Sequence, residues 1–244
     1  MRTLKLTVAY DGTNYVGWQR QLNGPSIQQH IEEAFAPMLA SMPTVIGAGR
    51  TDAGVHALAQ VASVDVESPL SAGTFQRALN DHLPEDIRVL AVEDAPAGFH
   101  AQFRATAKTY RYRLATANVV LPFDRRFVWR APGTRDVAAM RHAAALLCGT
   151  HDFASFQAAG SDPPDTVRTI RRLEIALRDD EIVFDVEGDG FLRHMVRILV
   201  GTLAEVGLGR RSAASMTDIL AARDRRAAGK TAPSCGLTLM SVEY

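Results

Sequence analysis

Lys108–Thr116 reads KTYRYRLAT, and its alternation decides the fold. Tyr110, Tyr112 and Leu114 fall on one face of an extended chain and Arg111 and Arg113 on the other, the period-two pattern of a strand with one buried face. This strand opens a second round of structure, because the chain upstream of it already completes one. Thr3–Tyr10 is another alternating strand, with Leu4, Leu6, Val8 and Tyr10 on its apolar face. A loop from Asp11 to Pro25 follows, and then Ser26 caps a helix whose apolar positions are Ile27, Ile31, Ala34, Phe35 and Met38, with Pro37 set to kink or end it. A glycine-rich segment (Gly47–Gly54), a strand over Val55–Val66, a helix capped near Ser71 and a strand over Ile87–Val92 complete a β-α-β-α-β series. That is the rhythm of an α+β, ferredoxin-like fold.

Downstream of Thr116 the spacing predicts a helix over 134–148 with Val137, Met140, Ala144 and Leu147 inward, ending at Gly149. Next come a hairpin over 168–187 turning at Asp179-Asp180, a long helix over 190–206, a helix capped by Ser212 and a closing strand, Leu237–Tyr244. Two rounds imply two α/β subdomains, 1–105 and 106–244. No low-complexity linker separates them, so a continuous sheet or a broad interface is expected.

The 244 residues carry 27 Lys+Arg and 27 Asp+Glu, and 47% are hydrophobic, which excludes a disordered, collagenous or coiled-coil chain. No apolar run approaches the ~18 residues of a membrane span. The opening residues read as a strand and not as a signal peptide. A cytoplasmic protein is therefore expected. Cys148 and Cys235 are too few for a disulfide framework or a cysteine zinc site. The zero net charge hides an asymmetry: residues 1–100 hold 6 basic and 11 acidic residues, residues 101–244 hold 21 and 16. Of the 27 basic residues 24 are Arg, suited to bidentate phosphate contact.

The densest polar cluster of the first half is Gly47-Ala48-Gly49-Arg50-Thr51-Asp52-Ala53-Gly54-Val55-His56. It lacks the Gly-Lys-Ser/Thr ending of a phosphate-binding loop and does not lead from a strand into a helix. Two readings stand. Arg50 and Asp52 are polar residues that stabilise a loop, or Asp52 is an ionised carboxylate beside a guanidinium, able to act as a nucleophile or to stabilise positive charge. His56 has no partner at metal-ligand spacing. In the predicted long helix, Leu192, Met195, Val196, Leu199 and Leu203 form the apolar arc, and Arg193 and Arg197 lie one turn apart at its edge.

Seven segments taken in order carry a resemblance: YDGTNYVGWQRQ (Tyr10–Gln21), GRTDAGVHA (Gly49–Ala57), FHAQFRATAKTYRYRL (Phe99–Leu114), HDFASF (His151–Phe156), TVRTI (Thr166–Ile170), GFLRHMVRILVGTLAEVG (Gly190–Gly207) and TAPSCGLTLMSVEY (Thr231–Tyr244). Together they resemble the tRNA pseudouridine synthase A family. The C-terminal segment departs from it, with Pro233-Ser234-Cys235 where two prolines are usual. So does the long helix, with Ile198 where Asn is common.

The resemblance implies two α/β halves sharing a mainly antiparallel sheet, with the active cleft between them. It implies a homodimer that binds tRNA across both subunits, and isomerisation of uridine to pseudouridine at positions 38, 39 and 40 of the anticodon stem-loop, without cofactor or metal. Breaking the N1–C1′ bond places positive character on C1′, which gives a nearby carboxylate an electrostatic role. The implied carboxylate is Asp52, whose action is attack at C1′, attack at C6 or removal of the 2′ hydrogen. Tyr110 is implied to stack on uracil near C5, Arg197 to pair with the carboxylate, and Arg50 to position RNA as the target flips out. His56 and Arg193 are expected as further substrate contacts. Phosphate contact is expected from Arg20, Arg104, Lys108, Arg111, Arg113, Arg125, Arg126 and Arg130. Two rivals remain: an RNA-binding module without catalysis, and a glycosidase, which would need a second carboxylate beside Asp52.

Overall fold

The computed structural model describes residues 1–160 and 165–244. Along the chain run β1 (Arg2–Tyr10), α1 (Ile27–Phe35), β2 (Ile46–Gly47), β3 (His56–Val66), α2 (Ala72–His82), β4 (Ile87–Asp94) and β5 (Ala107–Ala115). They continue with β6 (Trp129–Arg130), α3 (Val137–Ala145), β7 (Gly149–Asp152), β8 (Val167–Arg178), β9 (Glu181–Gly188), α4 (Met195–Gly207), α5 (Ser215–Ala222) and β10 (Leu237–Glu243). The chain is α+β, and its strand pairing is mainly antiparallel. It divides into two compact units, Met1–Thr106 with Thr238–Tyr244, and Ala107–Leu237. The closing strand lies with the first unit rather than the second, because Thr238 and Leu239 pair with His56 and Ala57 of β3.

In the first unit β1 is central, antiparallel to β3 on one side and to β4 on the other. The two-residue β2 pairs with Ser63 and Ala62 of β3, so the series is β-α-β-β-α-β; a strand of two residues shows no alternation that a sequence could reveal. Leu4, Leu6 and Val8 are fully buried, as their alternation requires. The Ser26 hydroxyl accepts from Gln29 N, and Ile27, Ile31, Ala34 and Phe35 bury the expected face of α1. Pro37 ends that helix in a 3-10 turn over Ala36–Met38. Ser71 caps α2 through Thr74 N, and Phe75 of α2 meets Phe35 of α1 with ring centroids 5.7 Å apart. Each such buried side chain contributes roughly 1.5–3 kcal/mol.

The second unit has strand order β5-β9-β8-β7, antiparallel throughout, and so does not repeat the order of the first. The β8–β9 hairpin turns at Asp179-Asp180, where Asp179 takes the left-handed conformation at φ 51°. One face of this sheet buries Tyr110, Tyr112, Leu114, Ile182, Phe184 and Val186. The opposite face carries a ladder of ion pairs, Arg111 on Asp185, Arg113 on Glu181 and Arg172 on Glu187.

Three helices differ from their predicted bounds. α3 begins at Val137 because the Asp136 carboxylate accepts from Ala139 N, leaving Thr134 and Arg135 outside, and it stops at Ala145. α4 begins at Met195, because His194 is left-handed at φ 61° and cannot continue a right-handed helix backwards. α5 begins at Ser215, with the Ser212 carbonyl, not its side chain, receiving Ser215 N and Oγ.

Asp152 joins three parts of the second unit. Its carboxylate accepts from Thr166 Oγ1 at 2.6 Å and from Ala154 N at 3.0 Å, and pairs with Arg223 Nε at 3.0 Å. The Thr166 hydrogen bond, helped by Ala154 N–H and the Arg223 charge, holds its pKa below the ordinary carboxylate value. A folded-state pKa below the unfolded one gives stability that is present above the unfolded value of roughly 3.9 and is lost as pH falls through the folded value. We expect wild type to exceed Asp152→Asn by about 1 kcal/mol in denaturant unfolding at pH 7, and the gap to close as pH falls below the ordinary carboxylate value of roughly 3.9. A gap that does not narrow on acidification contradicts this account.

Candidate active site

In the first unit the segment bearing Asp52 is fixed from below. Thr51 is buried, its carbonyl accepting from Trp18 N at 3.0 Å and its hydroxyl lying 2.8 Å from that of Tyr10. Burial drives the Tyr10 phenol up to about 12, against the hydrogen bonds to Thr51 and Gln60, so it stays a neutral donor. Gln60 Nε2 donates to Gly49 O at 2.9 Å. Half-buried Asp52 then opens a turn closed by Val55 N–H to Asp52 O at 3.1 Å, with Gly54 at φ 74°. Gly17 (φ 108°) lies against this turn so closely that a Cβ would stand 2.5 Å from Thr51 O. The β3 register shifts opposite Val8–Tyr10, just past the turn. The result is a carboxylate on a short, rigid turn.

In the second unit Tyr110 is 8% exposed on β5, and its ring meets Phe191 edge-on at 5.3 Å. Arg197 lies in the first turn of α4, where Nε donates to Ala232 O at 2.8 Å while Arg197 O accepts from Ala232 N at 3.0 Å. Residues 229–232 run along α4, with Gly229 N on Thr202 Oγ1 and Lys230 N on Glu205 Oε1. This contact needs Gly201, where a Cβ would stand 1.8 Å from Lys230 O. The same segment continues to Pro233, whose carbonyl accepts from Tyr112 Oη at 2.8 Å. Lys108 is pushed below the usual ammonium range, first by burial and then by the Arg168 charge, with Asp189 opposing.

The model of the tRNA pseudouridine synthase family matches residues 6–104 and 143–244. The chain belongs to the tRNA pseudouridine synthase family. A protein named tRNA pseudouridine synthase A from Syntrophotalea carbinolica is 44% identical over 244 residues, covering 100% of this chain and 97% of its own. One of the same name from Halalkalibacterium halodurans is 45% identical over 238 residues, covering 97% and 90%. A solved structure of a Cbf5-Nop10-Gar1 complex is only loosely similar, at 12% identity and TM-score 0.41, covering 97% of this chain and 48% of that one.

As a tRNA pseudouridine synthase the protein is an isomerase. Among the described residues no three His, Cys, Asp or Glu side chains are grouped to hold a metal, and no helix is long and apolar enough to cross a membrane.

Several sequence expectations change in this synthase. Arg50 is exposed, while half-buried Asp52 opens the following turn. His56 is 2% exposed, with Nδ1 3.1 Å from both Gly12 N and Asp11 Oδ1. It supports the loop after β1. Arg193 precedes α4, so it is not one helical turn from Arg197. Arg20 donates to the buried Glu32 carboxylate, Arg111 is bidentate on Asp185 and Arg113 bidentate on Glu181. Arg125 and Arg130 bond the carbonyls of Pro122 and Asn118 in their own loop. Arg104 and Arg126 are exposed.

The supports of the Asp52 turn, Tyr10, Gly17 and Gln60, were missed because their contacts cross 11 to 41 positions in sequence without any shared periodicity. Phe191 had a signal: it opens the FLRHMVR segment.

Proposed function

We propose that this synthase converts uridines of the tRNA anticodon stem-loop to pseudouridine, with Asp52 as the catalytic carboxylate. The observation that carries this reading is the Asp52 turn, anchored through Thr51 on Tyr10 and Trp18 and closed at Val55. A carboxylate whose backbone is fixed before substrate arrives stabilises charge at C1′ without reorganising. The N1–C1′ bond breaks, uracil turns, C5 bonds to C1′ and the C5 proton leaves. Tyr110, held edge-on by Phe191, stacks on the uracil and adjoins C5. Arg197 orients the carboxylate and Arg50 the flipped nucleotide. Arg193, exposed ahead of α4, is a further substrate contact.

Arg104, Lys108, Arg125 and Arg126 supply phosphate contacts in this reading. Arg20, Arg111 and Arg113 contribute less, because each already serves a carboxylate at 2.7–2.9 Å. The enzyme works as a homodimer in the cytoplasm, needing neither metal nor cofactor. The assay is tritium release from [5-³H]uridine tRNA. Wild type releases label to water and no free uracil; free uracil identifies a glycosidase, and no release at all identifies a binding module.

A further inference from the structure

The loop ahead of Ala107 holds an exposed aromatic ring on a rigid mount. Ala101 is completely buried, its N–H donating to Ser63 Oγ at 3.1 Å and its carbonyl accepting from Tyr244 Oη at 2.9 Å. Phe99 packs on Tyr244 at 5.0 Å, and Arg104 N closes a turn on His100 O at 3.0 Å. Within that turn His100 Nδ1 accepts from Gln102 N and Phe103 N, both at 3.3 Å, which sets the imidazole beneath the neighbouring ring. Phe103 stacks on it with centroids 4.2 Å apart and planes 22° from parallel, yet remains 78% exposed.

We propose that Phe103 is a stacking platform for an unpaired RNA base outside the reacting uridine, with Arg104 beside it for the adjoining phosphate. The proposal rests on the reading that the chain acts on tRNA. A phenyl ring left in water has an unfavourable hydration that folding has not removed, although the backbone around it is fully fixed. The built stack already shows the geometry in which a flat heterocycle meets this ring. Every base has a π face, so such a platform contributes affinity without reading sequence, and the exposed guanidinium at the next position matches the charge of a strand that continues past the base.

The test measures tRNA affinity and needs no turnover, so its failure is separable from failure of the Asp52 assay. Phe103→Ala raises the Kd for unmodified tRNA by about tenfold, with its melting temperature unchanged and kcat at saturating tRNA retained. Phe103→Trp keeps Kd within about twofold of wild type, by the same stacking, and its added tryptophan emission is quenched by tRNA. An unchanged Kd for Phe103→Ala overturns the proposal. So does Phe103→Trp emission that tRNA leaves unaltered, or an effect that appears as a changed oligomeric mass.

Discussion

Replacing Asp52 with Ala or Asn lowers tritium release from [5-³H]uridine tRNA by on the order of 10⁴-fold while tRNA binding persists. Removing a group that acts only as C1′ becomes cationic lowers kcat, with little change in ground-state affinity. Asn is the more informative variant, since it keeps the volume and the turn-opening position of Asp52 but cannot carry charge. The turn itself survives both changes. It is set by backbone groups and by neighbours: Val55 N–H on Asp52 O, Gly54 at φ 74°, and Thr51 held by Trp18 N and Tyr10. Activity of either variant within tenfold of wild type would place the catalytic carboxylate elsewhere.

Gly201→Ala gives the largest loss of stability, about 3 kcal/mol. Intrinsic helix propensity alone favours Ala by about 1 kcal/mol, because glycine in a helix interior loses more backbone entropy. The contact across the helix decides the sign. A Cβ at Gly201 would lie 1.8 Å from Lys230 O and 3.2 Å from Ala232 N, atoms of a backbone that cannot rotate away as a side chain would. The segment must lift from α4, which breaks the reciprocal hydrogen bonds between Arg197 and Ala232. Thermal unfolding should show a transition lowered by roughly 5–10 °C, accompanied by reduced turnover. A variant as stable as wild type would mean that helix propensity outweighs the contact.

The sequence was most informative where the determining interactions are local. Alternation located β1 and β5, Ser26 and Ser71 marked their helices through an acceptor three residues before the N–H it serves, and Asp179-Asp180 marked the hairpin. The same locality explains a failure. A helical wheel extended over 190–206 placed Arg193 and Arg197 together, whereas His194 at φ 61° starts the helix one residue later, at Met195, and no periodicity encodes that angle.

The pairing of charges is hidden from the sequence for a related reason. Counted along the chain, Arg111 and Arg113 are two of the eight basic residues expected to contact phosphate. In the fold they face Asp185 and Glu181, 74 and 68 positions away, because the antiparallel register of β5 on β9 sets Arg111 opposite Asp185 and Arg113 opposite Val183, whose same-face neighbour is Glu181.

By itself, then, the sequence determined the α+β class, the caps and turns, and the family through its ordered motifs, since each depends on residues within a turn or strand of one another. Tertiary structure alone decided that the Asp52 turn is held through Thr51 on Tyr10 and lies against Gly17, that Arg197 is tied to Ala232, and that β10 returns to β3. Those contacts depend on which distant segments approach, and backbone register and close packing, not local pattern, select them.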